Sequence, residues 1–218
     1  MPYTRISPSC RYSELIAQYR RLHLEGEPRL NLPREMTFPG VSLFPQAARI
    51  ELLIRRTGAK TLLDYGCGKG QQYEAKSINV PGAGIFETVQ DFWNVDYIYC
   101  YDPAYPLYTR RPDMRFDGVI CTDVLEHCPE EDLEWIIDDI FSFAERFVFA
   151  SVAGHAAKKV LPNGENAHCT QRMPEWWQKL FERTARSHPG TEWEVWHHQK
   201  NEAGGFDEVK IAADASIR

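Results

Sequence analysis

The stretch Thr61–Gly70, TLLDYGCGKG, restricts this chain more than any other. Its first half, Thr61-Leu62-Leu63-Asp64-Tyr65, is a short apolar run with an acid near its end. That is the pattern of a buried parallel strand reaching the edge of its sheet. Its second half sets Gly66, Gly68 and Gly70 at alternate positions. With no Cβ in the way, the backbone can turn tightly there and bring N–H groups close to a ligand. The reading is a strand, a ligand-approaching loop and a helix starting near Gln71.

The details narrow the ligand. The spacing is not the G-x-G-x-x-G dinucleotide fingerprint, and no Gly-Lys-Ser/Thr follows as in a phosphate loop. Asp64 stands just before the glycines; a carboxylate there repels a pyrophosphate but can pair with an ammonium group.

At 218 residues, with ordinary apolar and charged fractions, the chain is long enough for one α/β domain with a substantial core. No apolar run approaches a membrane span, and the start, Met1-Pro2-Tyr3-Thr4-Arg5, has no signal-peptide core. A cytoplasmic protein without a membrane partner is expected. The six cysteines form no C-x-x-C pair, so they read as reduced, packed thiols. A net charge of −6 argues against a broad nucleic-acid surface.

Along the chain, Ser13–Leu24 has helical spacing, with Ser13 as a plausible N-cap. A connector with Pro28, Pro33, Pro39 and Pro45 follows, and its aromatics suggest that it packs on the main body. Residues 1–45 thus read as a mainly helical and irregular N-terminal extension packing on the core, and 46–218 as the main domain. Gln46–Thr57 is a second helix stopped by Gly58. Between Tyr73 and Asn94 the prolines and glycines read as an insertion. Asp96–Asp102 is the next strand, ending in an acid before Pro103. An acid at the end of the second strand of a Rossmann-type unit accepts hydrogen bonds from ribose hydroxyls. Its distance from the glycines exceeds the usual ~20 residues, and the insertion would account for the excess. Further strands are expected at Phe116–Val124 and Arg146–Val152, with a helix at about Glu130–Ala144 between them. A helix over Met173–Ala185 follows, then two strands, Glu192–His198 and Phe206–Ala212, forming a closing antiparallel hairpin.

Leu63-Asp64-Tyr65-Gly66-Cys67-Gly68-Lys69-Gly70 resembles the first motif of the class I S-adenosylmethionine (SAM)-dependent methyltransferases, a hydrophobic residue followed by D/E-x-G-x-G-x-G. Phe116–Val124 leading into Leu125-Glu126-His127 resembles a later strand of the same superfamily. The resemblance covers about Leu62–Phe181. It implies a doubly wound, mostly parallel, Rossmann-like sheet with an antiparallel C-terminal strand. Residues 103–112, with three prolines, leave little room for the helix and third strand usual there, so a full set of seven strands is not expected. The resemblance further implies SAM as cofactor. Asp64 would hold the methionine amino group and Asp102, with Pro103 beside it, the ribose. Cys121, Thr122 and Asp123 would line the sulfonium side, and Gly66, Cys67 and Gly68 the backbone wall. Lys69 reads equally well as a solvated lysine.

Asp123-x-x-Glu126-His127, with His168 downstream, also resembles the E-x-x-E-H site of metal-dependent O-methyltransferases, including small-RNA 2′-O-methyltransferases. Carboxylates with imidazole suit a divalent metal, so Asp123, Glu126, His127 and His168 are candidate ligands. Asp123 departs from the Glu of that pattern. Without a metal, His127, His168 or His155 is the natural base, since methyl transfer needs an aligned nucleophile and a proton acceptor. His197-His198 is expected to stand apart on the distal hairpin. The expected function is methyl transfer to a small-molecule acceptor, at oxygen, by a monomer or homodimer. The alternatives are a metal-dependent RNA 2′-O-methyltransferase and a non-catalytic SAM-binding domain.

Overall fold

The computed structural model describes residues 3–213; residues 1–2 and 214–218 lie outside it. The N-terminal extension opens with helix α1 (Cys10–Glu25). Its cap is Ser9, not Ser13: the Ser9 hydroxyl oxygen accepts from the Tyr12 N–H at 2.9 Å, and Cys10–Tyr12 complete the first turn. The proline-bearing connector folds as three 3-10 turns, which tolerate residues without an N–H better than a helix interior does. Helix α2 (Ala47–Thr57) ends at Gly58, whose φ of 68° makes the left-handed stop.

Strand β1 (Thr61–Tyr65) follows as expected. The helix expected near Gln71 is only a 3-10 turn, Gln71–Tyr73. Gln72 and Tyr73 turn inward to bond Asp64, and the insertion then forms a hairpin of β2 (Ile78–Val80) and β3 (Gly84–Phe86) and a short helix α3 (Val89–Trp93). Strand β4 (Tyr97–Tyr101), a turn at Pro106–Tyr108, and β5 (Phe116–Thr122) come next. Then follow α4 (Leu133–Phe143), β6 (Ala144–Ala153), α5 (Pro174–Ala185), β7 (Glu192–Lys200) and β8 (Phe206–Ala212).

The main sheet has six strands in the order β4-β1-β5-β6-β7-β8, all neighbours parallel except β7 and β8. Side chains alternate between its faces. Leu63, Val119, Cys121, Val148 and Val195 pack against α4 and α5, while Leu62, Ile120, Phe147 and Phe149 pack against α2 and α3. A third apolar cluster joins Leu15, Tyr19 and Leu22 of α1 to Ala104, Leu161 and Ala167. Helix α1 therefore lies over the carboxyl ends of the strands. Asp132, just ahead of α4, bonds the Ser9 backbone and hydroxyl at one end of α1. At the other end the buried Lys69 ammonium donates to His23 O (3.1 Å) and Thr37 Oγ1 (3.2 Å) and meets His23 Nδ1 at 3.1 Å. Lys69 is thus a clasp between the glycine loop and the extension, not a solvated side chain; burial lowers its pKa to about 8.

Candidate functional site

Parallel α/β sheets present their ligands beyond the carboxyl ends of the strands. Here those ends of β1, β4 and β5 border a cleft. Gly66, Gly68, Asp102, Pro103 and Asp123 form part of its wall, and α1 supplies Tyr12, Leu15, Ile16 and Tyr19 opposite.

The glycine loop does not offer its N–H groups outward. Those of Gly66 and Cys67 bond Tyr101 O, that of Gly68 bonds an Asp102 oxygen, that of Lys69 bonds Phe38 O, and that of Gly70 bonds Cys67 O. The glycines serve clearance instead. Gly66 (φ 87°) and Gly68 (φ 60°) lie in the left-handed region, and a Cβ would strike Val124 on the first and Phe38 O on the second. Asp102 accepts from the N–H groups of Gly68 (3.0 Å), Ala104 (2.8 Å) and Tyr105 (3.1 Å). A carboxylate has about four acceptor positions, so one remains for a ligand hydroxyl. Burial, offset in part by these bonds, lifts its pKa to about 6.

Four residues expected at the cofactor lie outside this cleft. Asp64 is on the Leu62 face of β1, since alternate residues share a face. There Gln72 (2.9 Å) and Tyr73 (2.7 Å) donate to its Oδ2, while the buried Oδ1 has no partner. Tyr65, one residue on, lines the cleft in its place. Cys121 is fully buried on the α4 face. Cys67 and Thr122 are buried and not part of the wall.

Asp123 is shared between the cleft and a second, more open depression lined also by Glu126, His155, His168, His198 and Phe206. Its φ of 54° is left-handed, a strained conformation for a residue other than glycine. Ser151 holds it: the serine hydroxyl donates to Asp123 Oδ1 at 2.7 Å. Beside it, one ligand atom each from Glu126, His127 and His168 lies within 4.8 Å of the other two. Asp123 is not in that group.

The remaining bonds fit this trio to a cation. Glu126 is fully buried; its Oε1 accepts from Ala153 N–H at 2.9 Å and its Oε2 has no partner. His127 Nδ1 lies 2.9 Å from Ala167 O, and His168 Nδ1 lies 2.6 Å from His155 O. A carbonyl only accepts, so both Nδ1 atoms carry the proton and both Nε2 atoms keep a lone pair. A histidine held this way by a backbone carbonyl is the usual arrangement of a metal ligand. Burial, and secondarily His168, lowers the His127 pKa to about 3, while burial lowers that of His168. Burial, reinforced by Asp123, raises that of Glu126. His155 sits at the rim, its ring 5.7 Å from that of His168 and 4.8 Å from Phe206.

The sequence reading sets His197-His198 apart on the distal hairpin. Instead β7 runs parallel to β6 with His198 paired to Ala153, which delivers it to the same sheet edge. His197 is fully buried, with Nε2 2.8 Å from Arg172 O. The resemblance implies that such an N-terminal extension covers the cofactor or shapes the acceptor site, but it names none of the α1 residues found at the cleft. The helical periodicity marks a buried face without saying which of its residues meet a ligand.

No family model matches the chain, and no curated protein matches it by sequence. Among solved structures it resembles the 1,6-didemethyltoxoflavin-N1-methyltransferase of Burkholderia thailandensis, solved with 1,6-didemethyltoxoflavin and S-adenosylhomocysteine bound. The two share 13% identity and a TM-score of 0.52 over 97% of this chain and 92% of that one. The magnesium protoporphyrin IX methyltransferase of Synechocystis PCC 6803, with bound S-adenosylhomocysteine, aligns at 15% identity and a TM-score of 0.45 over 93% and 96%. The chain adopts the class I methyltransferase fold: a mostly parallel, Rossmann-like sheet with helices on both faces and an antiparallel last strand. Among the described residues no helix is long and apolar enough to cross a membrane.

Proposed function

We propose that this chain is a SAM-dependent methyltransferase acting on a hydroxyl of a small-molecule acceptor, and that it works in the cytoplasm. The observation that carries this is the sharing of one residue by two adjoining spaces. Asp123 lines both the cleft behind Gly66, Gly68 and Asp102, which His127 also lines, and the depression holding Glu126 and His168. A cofactor in the first and an acceptor in the second would meet at Asp123. The fold is that of a protein solved with the demethylated cofactor, which agrees with this reading.

Gly66 and Gly68 would give the cofactor backbone room, Asp102 would accept from its ribose, and Pro103 and Asp123 would flank it. When bound, SAM supplies an electrophilic methyl group. The apolar side chains of Leu15, Ile16 and Val124 exclude water from the cleft. Glu126, His127 and His168 would hold a divalent metal, which would lower the pKa of a hydroxyl bound to it. His155, outside that trio, is then the histidine placed to take the proton. Without a metal, Nε2 of His127 or His168 has that role.

The test is isothermal titration with SAM, S-adenosylhomocysteine and NAD. SAM and its product bind and NAD does not; Asp102→Asn weakens both by at least about ten-fold, the loss of a charged hydrogen bond. Tight NAD binding, or no SAM binding, overturns the proposal. The gathering of Glu126, His127 and His168 favours a second reading, a metal-dependent RNA 2′-O-methyltransferase. The depression counts against it, because Asp123, Glu126, Asp207 and Glu208 line it and, among the described residues, no lysine or arginine does.

A further inference from the structure

Helix α1 does more than roof the cleft. Tyr19, in its middle, is 8% exposed, and its hydroxyl donates to Ala167 O at 2.6 Å. The same hydroxyl oxygen lies 3.1 Å from His127 Nδ1. His127 Nδ1 in turn lies 2.9 Å from Ala167 O. The three groups close a triangle with one consistent assignment of protons. The carbonyl can only accept, so the phenol donates to it. The His127 Nδ1–H then has two acceptors in reach, the carbonyl and the phenol oxygen. The rings pack edge to face, with centroids 5.3 Å apart, so the phenol is held laterally as well. Burial keeps the Tyr19 hydroxyl protonated far above its ordinary range, which preserves its donor role.

We propose that Tyr19 is a positioning residue for His127. It fixes the imidazole with Nδ1 protonated and the Nε2 lone pair free, and it pins the Ala167 carbonyl that shares the task. The inference rests on the proposed function for its purpose, which is to leave that lone pair for a metal or for the acceptor's proton. The geometry itself does not depend on cofactor or acceptor. It assigns the N-terminal extension a part in the site: a residue 108 positions upstream in the chain sets the tautomer of a histidine on the other side of the cleft.

The chain ties the triangle from both sides. The phenol is carried by α1, whose ends are fastened by Asp132 and Lys69. Ala167 sits in the long loop between β6 and α5, fully buried in the same apolar cluster as Tyr19. Removing the hydroxyl leaves the ring packing in place and deletes one acceptor for the imidazole N–H and one donor to the carbonyl.

The experiment is nitrogen-15 NMR of histidine-labelled protein without cofactor or acceptor, with the His127 ring assigned by its loss in His127→Gln. The native protein shows His127 mainly as the Nδ1-protonated tautomer, with the Nε2-protonated one as a measurable minor form. In Tyr19→Phe the ratio of the two neutral tautomers falls by about five-fold, the worth of one neutral hydrogen bond. A purely structural role for Tyr19 would lower the melting temperature and leave that ratio alone. A second measurement covers the case in which Tyr19→Phe folds poorly. In the native protein the Tyr19 hydroxyl proton exchanges slowly enough to be seen and shows a nuclear Overhauser contact to the His127 ring. An unchanged ratio in a folded Tyr19→Phe, or a hydroxyl proton with no contact to His127, overturns the proposal. Both readouts omit SAM, so a failure of SAM to bind sinks the methyltransferase reading and not this one.

Discussion

Asp64 keeps one carboxylate oxygen bonded to Gln72 and Tyr73 and the other bonded to nothing, at 1% exposure. Burial is the largest influence on it and pushes its pKa up to about 7, against the opposing bonds from Tyr73 and Gln72. Between about pH 4 and pH 7 the native state holds a proton that the unfolded chain has released, so stability falls as pH rises through that window and levels off above it. A shift of this size corresponds to about 4 kcal/mol of penalty on the ionised form. Asp64→Asn removes the charge and keeps an acceptor for Tyr73. Thermal melts are expected to show the variant a few degrees more stable than the native protein at pH 8, with the difference closing by pH 5. A variant equally destabilised at both pH values would mean that the carboxylate is ionised and matched by a partner.

Helix α1 is the element whose place decides the shape of the cleft, and the Lys69 clasp holds its end. Lys69→Met keeps the volume and deletes three polar contacts to His23 and Thr37. Hydrogen exchange of the α1 amides should then accelerate by about ten-fold, the loss of one or two net hydrogen bonds, while β5 and β6 keep their protection. Equal acceleration throughout would show a global loss of stability instead. Such contacts explain which parts of the chain were readable. The strands β1, β5 and β8 and the helix α5 follow local rules, namely apolar period, glycine stops and a proline in the first turn, and the expected ranges stand within a residue or two. Asp102, Gly66 and Gly68 reach the cleft because strand ends and left-handed turns are also local. The direction of Asp64 depends on Gln72 and Tyr73 replacing the expected helix. The role of Lys69 depends on a segment more than thirty residues upstream. Neither is visible in a window of sequence.

At the scale of the molecule, the parallel run β4-β1-β5-β6-β7 sends five strand ends to one edge, and that edge carries both the cleft and the depression. Asp123 lines both, and the trio is divided between them, His127 on the cleft and Glu126 and His168 on the depression. Three neighbouring ligand atoms, one of them a buried carboxylate oxygen with no partner, are costly to keep unless something cationic compensates them. A metal does so; a base needs only one free imidazole nitrogen. Mn²⁺ is the probe that separates the two. Titrated into chelator-treated protein, it should bind at one site, and Glu126→Gln or His168→Gln should weaken it by at least about a hundred-fold. Gln at either position keeps most of the volume, and unchanged melting temperatures without metal would locate the loss in the ligand. If Mn²⁺ fails to bind the native protein, or binds both variants as well, the trio holds no metal. The unpaired Nε2 atoms are then proton acceptors, and the orphaned Glu126 oxygen is accounted for by the proton that burial leaves on it.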